Sequence, residues 1–238
     1  MSTRFSNSVA IVSGGTGGLG RAVTQAFLME GAIVQVTYRS EQEFEELARS
    51  VGVLRERLEG RQVDVTNETA TLRFLEDVLA RHSRLDVLVN TVGGYAGGVE
   101  LWKIDAPVLD LMLTLNLRAL YVLIRAVIPA MLKQGHGCIV NVAAKAGLDH
   151  PARAAAYAAS KAAELAMVDS LAAELLGTGV RANSILPSII DTRANRSAMP
   201  NADFSKWPKP EDIAQVILFL CSEEAKVIHG ASIPVYGN

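Results

Sequence analysis

Cysteine is scarce in this chain. There are two in 238 residues, Cys138 and Cys221, with no CxxC spacing and no Cys–His pair. That excludes a disulfide framework and a zinc ribbon, and both read as reduced core residues of a cytoplasmic protein. No metal site is expected. A surplus of either charge is missing as well. The 23 Lys and Arg nearly balance the 25 Asp and Glu, giving −2 with no run of five like charges. Nucleic acid and anionic membranes are therefore not expected partners. Apolar runs are interrupted short of a membrane span, and the opening MSTRFSNS is polar rather than signal-like. Repeats and Pro/Ser-rich linkers are also absent. What is present is a half-hydrophobic composition, 50%, enough to bury one sizeable core.

Short apolar runs alternate with helical patterns. Val9–Ser13, Ile33–Tyr38, Gln62–Val65, Leu85–Asn90, Cys138–Val142, Val180–Leu186 and Ser232–Val235 read as strands. Helical spacing begins at Leu19 and recurs over Glu68–Arg81, Pro107–Lys133, Ala155–Leu176 and Pro210–Cys221. Strands that are apolar throughout and alternate with helices predict an α/β fold: one doubly wound Rossmann-type domain over 1–238, with about seven parallel strands covered on both faces.

SGGTGGLG, Ser13–Gly20, joins the first strand to a helix. Glycines there let the backbone approach a pyrophosphate, which rests on the open N–H groups of the helix start. Ser13, Gly14, Thr16, Gly18, Leu19 and Gly20 are the candidate phosphate-side residues. The second strand ends in Arg39-Ser40, where an NAD-preferring protein would carry a carboxylate. A guanidinium there suits a 2′-phosphate, so NADP(H) is favoured, with NAD(H) the alternative. Asp64, with Val65 beside it, is placed to meet the adenine. Asn90, Gly93 and Gly94 follow the fourth strand on the cofactor side.

Tyr157 and Lys161 are four apart and share a helix face. A lysine ammonium and an oxidised nicotinamide both favour phenolate, so the pair predicts a tyrosine whose pKa is lowered to work in proton transfer. Thirteen residues before the tyrosine, where a carbonyl-reducing site usually has a second hydroxyl, stands Ala144.

Along nearly its whole length the chain resembles the short-chain dehydrogenase/reductase family. SGGTGGLG, Asp64, NTVG (Asn90–Gly93), Asn116, Tyr157/Lys161 and LPS (Leu186–Ser188) fall in family order. The resemblance implies that Tyr157 is the acid and that Lys161 also holds the nicotinamide ribose. Asn116 is implied at a helix distortion in a proton relay, with Pro187 at the cofactor and Ser188 near the substrate. The family's serine maps to Ala144 and its second motif asparagine to Thr91. VGGYAGG (Val92–Gly98), AKAGLDHP (Ala144–Pro151) and LPSIIDTRANRSAMPNADFSKW (Leu186–Trp207) further resemble the dihydropteridine reductase branch, which lacks the serine. Arg39 departs from that branch's carboxylate, and Tyr95 stands where its tryptophan would.

These readings predict reduction of a flat conjugated imine or carbonyl small molecule. A ketone or 3-oxoacyl thioester reductase and a non-catalytic dinucleotide sensor are the alternatives. The segment from about 187 to 207, which lacks helical periodicity, is expected to cover the substrate. The long helices, apolar on more than one face, predict a homodimer or homotetramer.

Overall fold

Val9–Ser13 (β1) is buried at every position, as is Val87–Asn90 (β4). Such strands must be covered on both faces, and they are. With Ile33–Tyr38 (β2), Leu58–Gln62 (β3), Gly137–Val142 (β5), Val180–Pro187 (β6) and Ser232–Val235 (β7) they form a parallel sheet ordered β3-β2-β1-β4-β5-β6-β7. The computed structural model describes residues 3–237. The order reverses between β1 and β4, where open parallel sheets bind ligands at the strands' carboxyl ends.

Alternation along each strand sorts the core into two layers. Ala10, Val12, Val34 and Val36 face Gly18–Met29 (α1) and Pro210–Cys221 (α9), meeting Phe27, Ile213 and Ile217. Val9, Ile11, Leu88 and Ile139 face the other side. There they meet Glu68–His82 (α3), Ala119–Gln134 (α5) and Ala155–Glu174 (α7) through Phe74, Leu123 and Val168.

Four expectations change. The third strand is Leu58–Gln62 rather than Gln62–Val65. As an edge strand it needs backbone pairing more than an apolar run. Its register sets Leu58 opposite Val34 and Gly60 opposite Val36, with the Phe44 ring packed over Gly60. The helix Glu41–Ser50 (α2) after β2 was not anticipated; Ser40 caps it, accepting from the Glu43 N–H at 3.4 Å. Ala106–Met112 (α4), a π-helical turn Leu113–Arg118 and α5 run continuously for 29 residues. By length and composition that helix could span a membrane, contrary to the reading of interrupted runs. Leu120, Leu123, Val127 and Met131 are nonetheless buried against the sheet. Finally, after the short helix Ala146–Asp149 (α6), the stretch 187–207 contains a helix of its own, Arg193–Ala198 (α8). The Thr192 side chain caps α8, accepting from the Asn195 N–H at 3.2 Å. The two cysteines are free and buried, one on β5 and one at the end of α9, and the Cys138 thiol donates to the Leu220 carbonyl at 3.4 Å.

Candidate active site

At the carboxyl end of β1 the chain turns through Gly14, whose φ of +69° is left-handed. A side chain at Gly20 would collide with the Gly14 carbonyl and the Thr91 hydroxyl, so the helix packs directly on the turn. Thr91 takes over as the tie across this end, donating to the Ser13 carbonyl at 2.7 Å. No side chain caps α1, which leaves its first N–H groups open to an anion. They border a groove of about 210 Å³ lined by Gly14, Thr16, Thr37, Arg39, Glu43 and Val65. Arg39 makes no ion pair among the described residues. These features fit a dinucleotide: a backbone cradle for the pyrophosphate and a free guanidinium beyond it.

Several expected cofactor residues act through the backbone or elsewhere. Leu19 is buried in the core. The Asp64 carboxylate accepts from the Thr66 N–H and hydroxyl (3.0 and 2.7 Å), and these bonds hold it below the usual carboxylate range. Asn67, not Asp64, caps α3. Ser13 and Asn90 turn inward toward each other, the hydroxyl donating to Asn90 Oδ1 at 2.7 Å. Sequence reading also missed Glu43, a carboxylate on the same groove as Arg39, which accepts from the Thr16 hydroxyl at 3.0 Å. Nothing in the local pattern separates it from the other glutamates of α2.

Tyr157 and Lys161 lie one turn apart on α7. Lys161 Nζ donates to the Val142 carbonyl at 3.2 Å and to both oxygens of Glu164, at 2.9 and 3.2 Å. Glu164 is fully buried and had gone unremarked, although its i,i+3 spacing from Lys161 puts both on one face. It also accepts from Asn141 Nδ2 at 2.9 Å, and Asn141 Oδ1 accepts from Asn90 Nδ2 at 2.9 Å. Ser13, Asn90, Asn141 and Ser184 are register neighbours across four strands, so one polar row tops the apolar layer under α7.

Asn116 occupies the π-helical turn, as the resemblance implied. Its side chain accepts from the Gly94 N–H at 2.8 Å and donates to the Gly94 carbonyl and the Ser160 hydroxyl. A methyl group at Gly93 would lie 2.9 Å from Asn116 Oδ1 and 3.2 Å from Lys161 Nζ, so a side chain there would press on both groups.

The Tyr157 hydroxyl has no hydrogen-bond partner among the described residues. Its ring meets Tyr95 edge-on at 5.0 Å, and Tyr95 itself is 68% exposed. The expectation of a lowered tyrosine pKa is corrected here. Burial, then the Glu164 charge, then Tyr95 push it above its ordinary value. The ammonium that would favour phenolate is shared with a carboxylate.

Ala144 lies buried just after β5. The Lys145 N–H donates to the Pro187 carbonyl at 2.9 Å, which brings Ser188 alongside, but the Ser188 hydroxyl donates to the Tyr236 carbonyl at 2.6 Å. Ser188 is thus a tie to the chain end, not a free donor. The Thr192 methyl packs against Gly18, carrying the 187–207 segment back over the glycine turn.

A family model described as short chain dehydrogenase matches residues 8–203. The chain belongs to the short-chain dehydrogenase family. It is an NAD(P)-dependent oxidoreductase with the family's single Rossmann-type domain. It is similar to the 3-oxoacyl-[acyl-carrier-protein] reductase FabG of Thermotoga maritima, at 31% identity over 99% of this chain and 98% of that one. It is also similar to the meso-2,3-butanediol dehydrogenase of Serratia marcescens, at 30% identity over 99% and 95%. The solved structure of ElxO with NADP bound superposes with a TM-score of 0.91 at 24% identity, covering 97% of each chain, a likeness of fold. None of these three proteins is named as a dihydropteridine reductase, so the narrower branch resemblance gains no support from them.

Proposed function

We propose that this protein is an NADPH-dependent reductase of small ketones or 3-oxoacyl thioesters. The observation that carries the reading is the convergence of Lys161 and Asn116 on Gly93, after β4, with Tyr157 one turn before Lys161 on α7 and its ring against Tyr95. A bound nicotinamide would supply the hydride to the carbonyl carbon. Tyr157 gives its hydroxyl proton to the carbonyl oxygen as charge develops there, so carbon and oxygen gain the hydride and proton that make the alcohol. Lys161, one turn from Tyr157 on α7, would hold the nicotinamide ribose. Asn116 fixes the loop at Gly94 through two hydrogen bonds and stands at the entrance of a proton path to Lys161. Arg39 takes the 2′-phosphate, which sets NADP(H) ahead of NAD(H); ElxO, of the same fold, is solved with NADP bound. The 187–207 segment covers the substrate.

With Ala144 in the serine's place, Tyr157 alone faces the carbonyl oxygen. That absence, together with the exposed Tyr95 ring beside Tyr157, favours a flat quinonoid dihydropterin as a second substrate class. NADPH oxidation with a 3-oxoacyl thioester, a vicinal hydroxyketone and a quinonoid dihydropterin tests both readings. Turnover of either carbonyl compound above the pterin supports the first. Turnover of the pterin alone replaces it with the second, and no turnover of any removes both. The protein works as a dimer through the Ala106–Gln134 helix and α7, where Leu109, Leu111 and Tyr121 are exposed. A monomer by light scattering at micromolar concentration refutes this.

A further inference from the structure

We infer that Glu164 is a positioning residue for Lys161: it anchors the ammonium and offsets its charge, so that Tyr157 remains a neutral proton donor into alkaline solution. The inference rests on the reductase reading above. A glutamate inside α7 with Ala162, Ala163 and Leu165 around it is costly, because burying a carboxylate forfeits its hydration. An apolar side chain would fill the same place without that cost. The surroundings are instead built for a charge. Ser13 donates to Asn90, Asn90 to Asn141, and Asn141 to Glu164 at 2.9 Å, while Lys161 donates from the other side. Every donor in this row is aimed toward the carboxylate, and dipoles lined up in that way stabilise a negative group. Ser184, the next register neighbour, holds a buried hydroxyl without a partner among the described residues.

The electrostatic consequence follows from the order of groups. An ammonium alone near a phenol stabilises phenolate; an ammonium joined to a carboxylate is close to neutral at the phenol and withdraws that help. Burial pushes the Glu164 carboxyl up, while Lys161 and Asn141 pull it down, and its charge in turn pushes Tyr157 up. The titratable groups facing the pair are Lys161 on the same helix and Tyr95 on the loop after β4. Asn141 of β5 and Asn116 of the π-helical turn carry no charge. Lys145, next to Ala144, is turned away, pairing with Asp149 and lying over the Tyr236 ring. The arrangement keeps the acid form of the tyrosine available and so suits reduction over alcohol oxidation.

The test is the pH dependence of kcat/KM for carbonyl reduction. In the wild type the alkaline limb, where the tyrosine loses its proton, should lie above pH ~10, the ordinary value for a free tyrosine. Glu164→Gln should move that limb down by about one pH unit or more, a tenfold loss at pH values above it. Glu164→Asp, which keeps the charge, should restore the limb toward wild type even if kcat stays reduced. A uniform fall in kcat with an unmoved limb in Glu164→Gln overturns the inference, as does a wild-type limb below pH ~10; the wild-type measurement serves even if the variant does not fold. A substrate-free readout separates this from the functional reading. Tyrosinate absorbance of each protein, minus its Tyr157→Phe counterpart, reports Tyr157 directly, and Glu164→Gln should lower its titration. If no carbonyl compound turns over but this shift appears, the reductase reading fails and the role of Glu164 stands.

Discussion

Two buried carboxylates stand at opposite ends of the same sheet. Asp86, at the amino ends, accepts from the Val9 N–H at 2.7 Å, from two nitrogens of Arg84 at 2.8 and 2.6 Å, and from His136 at 2.9 Å. Its own backbone carbonyl accepts from the Cys138 N–H, so one residue joins β1, β4 and β5. Burial works against its charge, yet these bonds hold its carboxyl below the usual range. Glu164, at the carboxyl ends, has one ammonium and one amide, both buried, and burial wins. The first charge is matched by a guanidinium that still touches solvent, so it can stabilise the fold. The second is matched by a group committed to chemistry, so its setting favours the site over stability. A parallel sheet exposes N–H groups at one end and carbonyls at the other, and the two ends can be used for different ends of the protein's work.

The comparison breaks most sharply at Tyr157. Tyr157→Phe should lower kcat/KM for carbonyl reduction by about 10²–10⁴, the range for a lost general acid, with the melting temperature unchanged. A variant within threefold of wild type would remove the tyrosine from the reaction. The mirror change is Asp86→Asn, which should cost about 2 kcal/mol in urea unfolding through weakened charge-assisted bonds, leaving KM for NADPH unchanged. Because the folded Asp86 pKa is depressed, its contribution is complete above ~3.9, the ordinary value, and is lost as pH falls through the folded one. The wild type should therefore lose stability on acidification faster than Asp86→Asn does, and parallel curves would show Asp86 adds nothing through its charge.

Within the carboxyl end, Arg39→Asp should weaken NADPH by about 2 kcal/mol more than NADH, read as a change in the ratio of dissociation constants. An equal effect on both cofactors would show that Arg39 does not meet the phosphate. Smallest is Ala144→Ser, which should raise ketone reduction by about tenfold by adding a donor where oxygen gains charge. The same change should leave any reduction of quinonoid dihydropterin within a few-fold. A gain on the pterin and none on the ketone would reverse the order of the two substrate readings.

What the sequence by itself determined was whatever a local period can carry. VAIVS and VLVN were legible as buried strands, SGGTGGLG as the turn onto a helix start, and the four-residue step from Tyr157 to Lys161 as one helix face. Asn116 was legible only through family resemblance, since nothing in LTLNLR announces a π-helical turn. What the tertiary structure decided lies between elements. Leu58–Gln62 became the third strand because its register seats Leu58 opposite Val34, a contact that no local pattern records. Asp64 and Ser188 were in place but turned to Thr66 and Tyr236. Glu164 was visible as a letter, yet its meaning depends on Asn141, Asn90 and Ser13 arriving beside one another from three strands. Side-chain period sets which face a residue takes; only strand register and helix docking set what it meets there, and the electrostatics of Tyr157 depend on that meeting.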